Sequence, residues 1–599
     1  MSKRILLVAL ILMVVATLAV ACGKDDTSST TTASSATTGS STATSTPATT
    51  ASTAPASTDT TAPALSDIVL NVTPAGQGAT TFTYNFNPFT SSYLFPTYAG
   101  IYEPLMINNR MTGELVPWLA TEYKWSDDLL TLTFTLRDGV KWSDNTDFTS
   151  ADVVYTFDAL KNNEALGGNA KSTVTQGGFV DSVTAPDAKT VVFKFNKVYT
   201  PGIYDVVTQY IVPEHIWKSI ADPSKELNLK PVGTGPFTEV ANTQDQSYEV
   251  SRNPYYWQPG QPYVKTLRVL AYSGDEAVAT MMANGDVDWA GQGIMNLQKA
   301  VLDNNKDIKA WWPDTAYTTI LLNGTVKPFD DVAVRKAMSL SLDRDKLIQV
   351  GSQGLGKPAD ITGIADAAYK GWKADPNSLG VENWCTYDVA KANQMLDEAG
   401  YKKGADGVRT NKDGSPFKIE LPMVNGFANW IAMAPTIKAN LEAIGFSINI
   451  VNYDPGQWFG KMFMGDFQMT LFFGLDGETP YQFYRNAMSQ QTFRPVGQPT
   501  SFMENFGRMV VPEVEPVLEK FATTTDPAVQ HEAAIELQKL HAQFAPDIPL
   551  YTNQSFGTYN AAKVGGWASA DNQICWPMCM GQNALSMQLI QMTSWGPAK

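Results

Sequence analysis

Between Asp25 and Pro63 the chain is built almost wholly from Thr, Ser and Ala. Such a stretch has almost no large apolar side chain to bury. It cannot offset the entropy of ordering itself and is expected to be disordered. As a flexible coil of roughly 40 residues it spans on the order of 35 Å. Everything that folds must come after it. That leaves about 530 residues, more than one hydrophobic core normally holds.

What precedes the tract sets the compartment. Lys3 and Arg4 are followed by an unbroken apolar segment, Ile5 to Ala21, ending in "LAVAC". The segment is long for a signal-peptide core and short for a membrane span. The small residues before Cys22 resemble the lipobox of bacterial lipoproteins, although Ala19 stands where Leu is commonest. The resemblance implies that residues 1–21 are a signal peptide cut before Cys22, and that the Cys22 thiol receives a diacylglyceryl group. Residues 22–65 then form a tether to the outer face of the membrane, at a cell surface or in a periplasm. An ordinary cleaved signal or an uncleaved anchor is the competing reading.

The rest of the chain is 44% hydrophobic and 11% aromatic overall, as a well-packed globular protein requires, with a net charge of −15. An acidic, extracytoplasmic chain is a poor partner for nucleic acid. Beyond Cys22 the cysteines are Cys385, Cys575 and Cys579. Outside the membrane a disulfide is allowed. "CWPMC" invites a Cys575–Cys579 bridge with Cys385 left free, although three pairings are possible. His215, His531 and His541 make no zinc spacing, so no metal or other cofactor is expected.

The patterning mixes α and β throughout. "TLTFTLRDGVKW" places Leu132, Phe134 and Leu136 on one face of a strand that ends at Asp138-Gly139. "TSADVVYTFDAL" opens with Thr149 as N-cap and Asp152 three residues on. "FDDVAVRKAMSLSLDRDKLI" reads as two helices, the second capped by Asp343. "YDVAKANQMLDEAGY" is a helix with Val389, Ala392, Leu396 and Ala399 on one face, stopped by Gly400. In "TIKANLEAIGFSINIVNY" a helix started or kinked by Pro435 ends at Gly445 and a strand follows.

Taken in order, these blocks resemble one family, the extracytoplasmic solute-binding proteins of ABC importers in the dipeptide/oligopeptide-binding branch. The most specific block is "PWLATEYKWSDDLLTLTFTLRDGVKWSDNTDFTSADVVYTF", Pro117 to Phe157. "FNPF…IYEPL", "PVGTGPF", "NPYYW", "ANGDVDW" and "VKPFDDVAVRKAMSLSLDRDKL" extend the match along the chain. The resemblance implies a mixed α/β, two-lobed periplasmic-binding-protein-like fold with a hinge and an extra domain inserted in the first lobe. It maps the first lobe to 66–110, 230–325 and 550–599, the inserted domain to 111–229 and the second lobe to 326–549. It also implies a monomer that closes on a small-molecule ligand and presents it to the membrane subunits of a permease.

The ligand class is the open question, because fold alone does not name it. Peptide binders of the family carry an Asp in a "DY-x-(D/E)-P" motif that pairs with the ligand's amino terminus. Here the loop reads "LDGETP": Asp476 matches, but Gly477 replaces the Tyr. "NGFANW", "TPYQFY" and "GGWASADN" resemble segments of cello-oligosaccharide binders. A sugar ring wants a flat aromatic surface beneath it and short polar groups around it. Trp289, Asn429, Trp430, Trp458, Asp476, Tyr481 and Trp567 are therefore the candidate ligand residues, each Trp competing with an ordinary core role; Phe89 is read as structural. The main expectation is a cello-oligosaccharide-like ligand, with a dipeptide or oligopeptide as the alternative. Glu478 lies two residues from Asp476, which raises a remote glycoside-hydrolase reading. Opposed carboxylates flanking a substrate are not implied by that spacing, so no enzyme is expected.

Overall fold

The computed structural model describes residues 65–175, 177–425, 427–474, 477–500, 504–580 and 585–592. The leader, Cys22, the Thr/Ser/Ala tract and Asp476 lie outside the described residues. The fold is mixed α/β.

Local signals resolve as their chemistry dictates. Strand Thr131–Leu136 buries Leu132, Phe134 and Leu136 and is followed by Gly139 at φ 72°. Helix Ser150–Asn162 begins with Thr149 N donating to Asp152 Oδ2 at 2.9 Å. Asp343 caps helix Arg344–Gly351 by accepting from Lys346 N at 3.0 Å. Helix Val389–Glu398 ends before Gly400, at φ 87°. Pro435 does not start its helix: the helix runs Ala428–Ala443 with Pro435 inside it. The apolar residues before the proline, Trp430, Met433 and Ala434, are buried, and their packing outweighs the lost backbone bond.

Two halves are built on separate sheets. The first holds a seven-stranded sheet in the order Ile308–Trp311, Gly557–Asn560, Trp289–Ala290, Val69–Thr73, Thr266–Leu270, Ser247–Arg252, Phe237–Gln244. Val69–Thr73 runs parallel to both of its neighbours. Asp288, buried beside it, accepts from Asn71 N at 2.9 Å and pairs with Lys563 at 2.7 Å. A four-stranded antiparallel sheet, Ala120–Trp125, Thr131–Leu136, Thr190–Phe195 and Val180–Asp187, is built entirely from one continuous stretch of chain. The second half holds a parallel pair, Lys418–Val424 with Ser447–Tyr453. It also holds the sheet Met469–Phe472, Asp314–Leu322, Asp547–Gln554.

The chain passes between the halves at two adjacent points. Trp311 pairs with Gly557 on one side, and Asp314 with Gln554 on the other. Ser555 N donates to Pro313 O between them, at 2.8 Å. The Trp312 indole packs edge-on against Phe556 at 5.0 Å and donates to Thr558 Oγ1 at 3.2 Å. These few residues are where one half can rotate against the other.

The expected Cys575–Cys579 bridge is absent; both thiols are free and buried, as is Cys385. The backbone around them is held by separate long-range contacts, Trp289 Nε1 to Pro577 O at 3.0 Å and Ala75 N to Cys579 O at 2.7 Å. Burial pushes the Cys575 thiol up to about 12 and Cys579 upward as well, so both behave as small apolar groups.

Glu103 is fully buried, and among the described residues it forms no salt bridge, although Arg137 acts on it electrostatically. Trp118 Nε1 donates to it at 2.8 Å, and Trp257 Nε1 and the Tyr256 hydroxyl at 3.0 Å each. Burial raises its pKa from an ordinary 4.5 to about 7 against the pull of those donors. The folded state thus holds this proton more readily than the unfolded chain. Its contribution to stability is whole below the unfolded value and is lost as pH rises through about 7. The expected loss is on the order of 3 kcal/mol. Denaturant unfolding at about pH 5 and about pH 8 should show a smaller difference for Glu103→Gln than for the wild type; an unchanged difference would assign the slope to another group.

Candidate functional site

The halves meet along a seam distant in sequence but close in space. Strand Met106–Asn109 is buried along its whole length, yet it ends in two asparagines followed by an arginine. Asn108 Nδ2 donates to Glu478 Oε2 of the second half. Arg110 lies between rings of the two halves, 5.5 Å from the Tyr369 centroid and 5.2 Å from that of Trp576. Tyr199 accepts from Arg485 Nη1 at 3.2 Å and packs edge-on against Tyr481 at 5.8 Å. Thr200 N donates to Ala522 O at 2.9 Å.

The second-half side of the seam is helix Pro480–Met488. Its first turn is locked by Thr479 N donating to Gln482 Oε1 at 3.0 Å, with Pro480 at the first helical position. The helix is buried almost all round, so it presents Tyr481 and Arg485 on one face and Phe483 and Tyr484 on others. The loop before it is tightly placed. A Cβ on Gly477 would lie 2.5 Å from Gln482 Cβ and 2.8 Å from Phe483 N. The Tyr found in the family motif therefore has no room there. A Cβ on Gly474, at φ 104°, would lie 2.3 Å from Tyr317 O, so the same loop rests on the strand that leaves the hinge.

Electrostatically the seam is strong. Asp205 is pushed up to about 6, chiefly by burial, with the Thr173 hydroxyl and Arg485 pulling it down and Glu478 raising it. Burial opposes the Arg485 charge, but Tyr199, Tyr481 and Asp205 more than offset this and keep it protonated. An aromatic stack borders these charges: Tyr98 lies on Tyr210 at 4.2 Å and Tyr93 on Tyr98 at 4.0 Å. Burial raises the Tyr210 hydroxyl, and the nearby Glu478 charge adds to the effect.

The candidates read from sequence fall into three groups. Trp289 and Trp567 lie 5.5 Å apart in the first half, with Trp567 stacked on Tyr559 at 5.0 Å. Trp430 and Trp458 lie 5.6 Å apart in the second. Tyr481 stands on the seam. Asn429, half-buried, accepts from the Trp430 backbone N–H at 3.0 Å. The four Trp side chains are 1–6% exposed. Three of their indoles donate within the protein: Trp289 to Pro577 O, Trp458 to Thr470 Oγ1 at 2.8 Å, and Trp567 to Val564 O at 2.9 Å. Asp476 lies outside the described residues. Sequence reasoning missed Asn108, Arg110, Tyr199, Asp205 and Arg485. The available signal was polar side chains on otherwise buried elements, above all "NNR" closing a buried strand.

With the fold and seam in view, the class of protein is defined. Residues 114–494 match the bacterial extracellular solute-binding proteins, family 5 (middle region). The chain belongs to that family, whose members are binding proteins. A Brucella ovis relative, named provisionally as an ABC transporter peptide-binding protein, is 31% identical over 341 residues, 54% of this chain and 60% of that one. The chain thus spans about three fifths of the length of the first curated relatives it matches. The glutathione-binding protein GsiB of Escherichia coli O1:K1 / APEC is 26% identical over 76% of this chain and 83% of its own. Among solved structures, a periplasmic oligopeptide-binding protein of Thermotoga maritima with mannohexaose bound superposes with a TM-score of 0.74. It is 22% identical, over 87% of this chain and 98% of that one. The two-lobed architecture is common to both. Among the described residues no helix is long and apolar enough to cross a membrane.

Removing the Arg485 guanidinium would leave Asp205 buried without its nearest cation and Tyr199 without a donor. Arg485→Leu should weaken the closed arrangement by about 1–3 kcal/mol without unfolding either lobe. Small-angle scattering should then show a larger radius of gyration with an unchanged circular dichroism spectrum. A radius equal to the wild type's would remove Arg485 from the closing contacts.

Proposed function

We propose that the chain is the substrate-binding protein of an ABC importer and that its ligand is a short peptide. The observation that carries this reading is the convergence on one seam of half-buried carboxylates, Asp205 and Glu478, and guanidiniums, Arg110 and Arg485, from both lobes. A peptide is a zwitterion, and a desolvated site needs a counter-charge for each end. The names of the Brucella ovis and Escherichia coli relatives support the same class. In this reading Asp476 accepts from the ligand's ammonium, as its motif implies, and the half-buried Tyr93 and Tyr98 pack against an apolar side chain.

An oligosaccharide is the second reading. The Trp289–Trp567 and Trp430–Trp458 pairs and the mannohexaose in the Thermotoga maritima structure favour it. It ranks lower because the Trp side chains are spent on internal packing and internal hydrogen bonds. Around the seam we assign residues 66–110, 230–312 and 555–599 to the first lobe, 111–229 to an inserted domain, and 313–554 to the second lobe; the boundaries expected at 325 and 549 move to the double crossing because Asp314–Leu322 and Asp547–Gln554 pair within the second-half sheet. The protein acts as a monomer, held to the outer face of the membrane through lipidated Cys22 and the tether behind it, and closure presents it to the permease.

Saturating ligand at a hundredfold excess over Kd stabilises the folded state by about 2.7 kcal/mol. A thermal-shift panel of di- to pentapeptides and di- to hexasaccharides should raise the melting temperature with peptides only. A response confined to saccharides would replace the peptide reading with the second one. Chromatography of the responding ligand after incubation should return it intact.

A further inference from the structure

A cavity of about 790 Å³ opens on the second lobe and shares no lining residue with the seam. That volume is within the range of small-molecule sites. Its charged lining consists of Lys327, Arg335, Lys412 and Arg508 against Asp330 and Asp331, a cationic excess on a chain whose net charge is −15.

The two arginines are unusual in how they are used. Arg335 and Arg508 are 3% and 2% exposed. Arg335 donates only to carbonyls, of Ala545 at 2.8 Å, Phe329 at 2.7 Å and Phe544 at 2.5 Å. Arg508 does the same, to Asn505 at 3.0 Å, Phe463 at 2.7 Å and Gln498 at 3.1 Å, and its Nε–H is buried without an acceptor. Carbonyl dipoles satisfy donors but do not cancel a full charge. Among the described residues neither guanidinium forms an ion pair. Burial lowers the Arg508 pKa, with Arg494 nearby adding to the effect.

Of the carboxylates, Asp331 is already occupied. It caps Ala333 N at 2.9 Å, accepts from Tyr401 at 2.9 Å and meets Lys412 at 3.4 Å. Asp330 is exposed and opposes an anion from solvent, where its charge is screened. Lys327 has only a loose partner, Asp413 at 3.8 Å; Lys412 also lies over the Tyr401 ring at 5.1 Å, and both lysines are exposed. An anion entering here meets two exposed ammonium groups, the field of buried Arg508, and that of Arg335, which Asp331 and Asp330 offset in part.

We propose that this cavity is a second binding site, separate from the solute seam, for a small polyvalent oxyanion bearing carboxylates or phosphate. The lysines contact the anion directly, and the buried arginines supply positive potential from the wall.

The test is isothermal titration of the full chain with citrate and with inorganic phosphate at constant ionic strength, with chloride as control. We expect saturable one-site binding of at least one of the two; the one that binds identifies the source. Lys412→Glu should weaken it about tenfold or more, and Thr325→Trp, which fills the cavity at an exposed lining position, should abolish it. Glu478→Gln on the seam should leave it within about twofold while altering the solute response. The proposal is overturned if neither anion gives saturable binding. It is equally overturned if both cavity variants bind like the wild type. Because Thr325→Trp changes no charge, loss in both variants separates the cavity from general electrostatics.

Discussion

Every property of the seam depends on the double crossing at Trp311–Asp314 and Gln554–Gly557. Two antiparallel strands leave one sheet and enter another within three residues of each other. A single crossing would allow the lobes to twist freely. Two crossings joined by the Ser555–Pro313 hydrogen bond and the Trp312–Phe556 contact restrict the motion to rotation about one line. That restriction is why residues hundreds of positions apart, such as Asn108 and Glu478, can meet in register. It also gives the cleft loop a direct connection to the hinge, since Gly474 packs on the Tyr317 carbonyl of the strand that has just crossed.

Closure along that line brings polar groups out of water, and the cost of doing so sets the balance between open and closed states. Asp205 pays a burial penalty that its neighbours only partly offset, which is why its pKa stands near 6. Glu478 worsens that penalty and Arg485 relieves it. A ligand carrying charge of both signs can complete such an arrangement, whereas a neutral one leaves each lobe's charges to find each other. In the proposed reading, the seam links ligand chemistry to closure through desolvation rather than through contact area.

Much of the fold was legible because it is written locally. The caps at Thr149 and Asp343, the alternation of Leu132, Phe134 and Leu136, and the stop at Gly400 each need only neighbouring residues. One local reading failed: "CWPMC" forms no bridge, and its backbone is instead held to Ala75 and Trp289. Of the two alternatives for Pro435, starting the helix is excluded, because the proline sits inside it after a buried turn. The seam was largely illegible. Asn108, Arg110, Tyr199 and Asp205 carry no spacing that relates them to Arg485. Only the fold brings them together.

The tryptophans show why composition pointed toward sugar while the geometry does not favour it. An aromatic platform for a ring needs an open face, and an indole that orients a hydroxyl needs a free N–H. Trp289, Trp458 and Trp567 have neither to spare, since each is nearly buried and donates to a protein oxygen. Partly exposed aromatic surface beside Glu478 is limited to Tyr93 and Tyr98, half-buried and packed on Tyr210, which is itself buried. Gly477 sharpens the same point. The position is empty of a side chain because Gln482 and Phe483 occupy the space, so the loop that carries Asp476 has lost the tyrosine of its motif. The stack contributed by the other lobe supplies phenol rings to the same seam, and a peptide side chain can be held between lobes without the residue that the motif lacks.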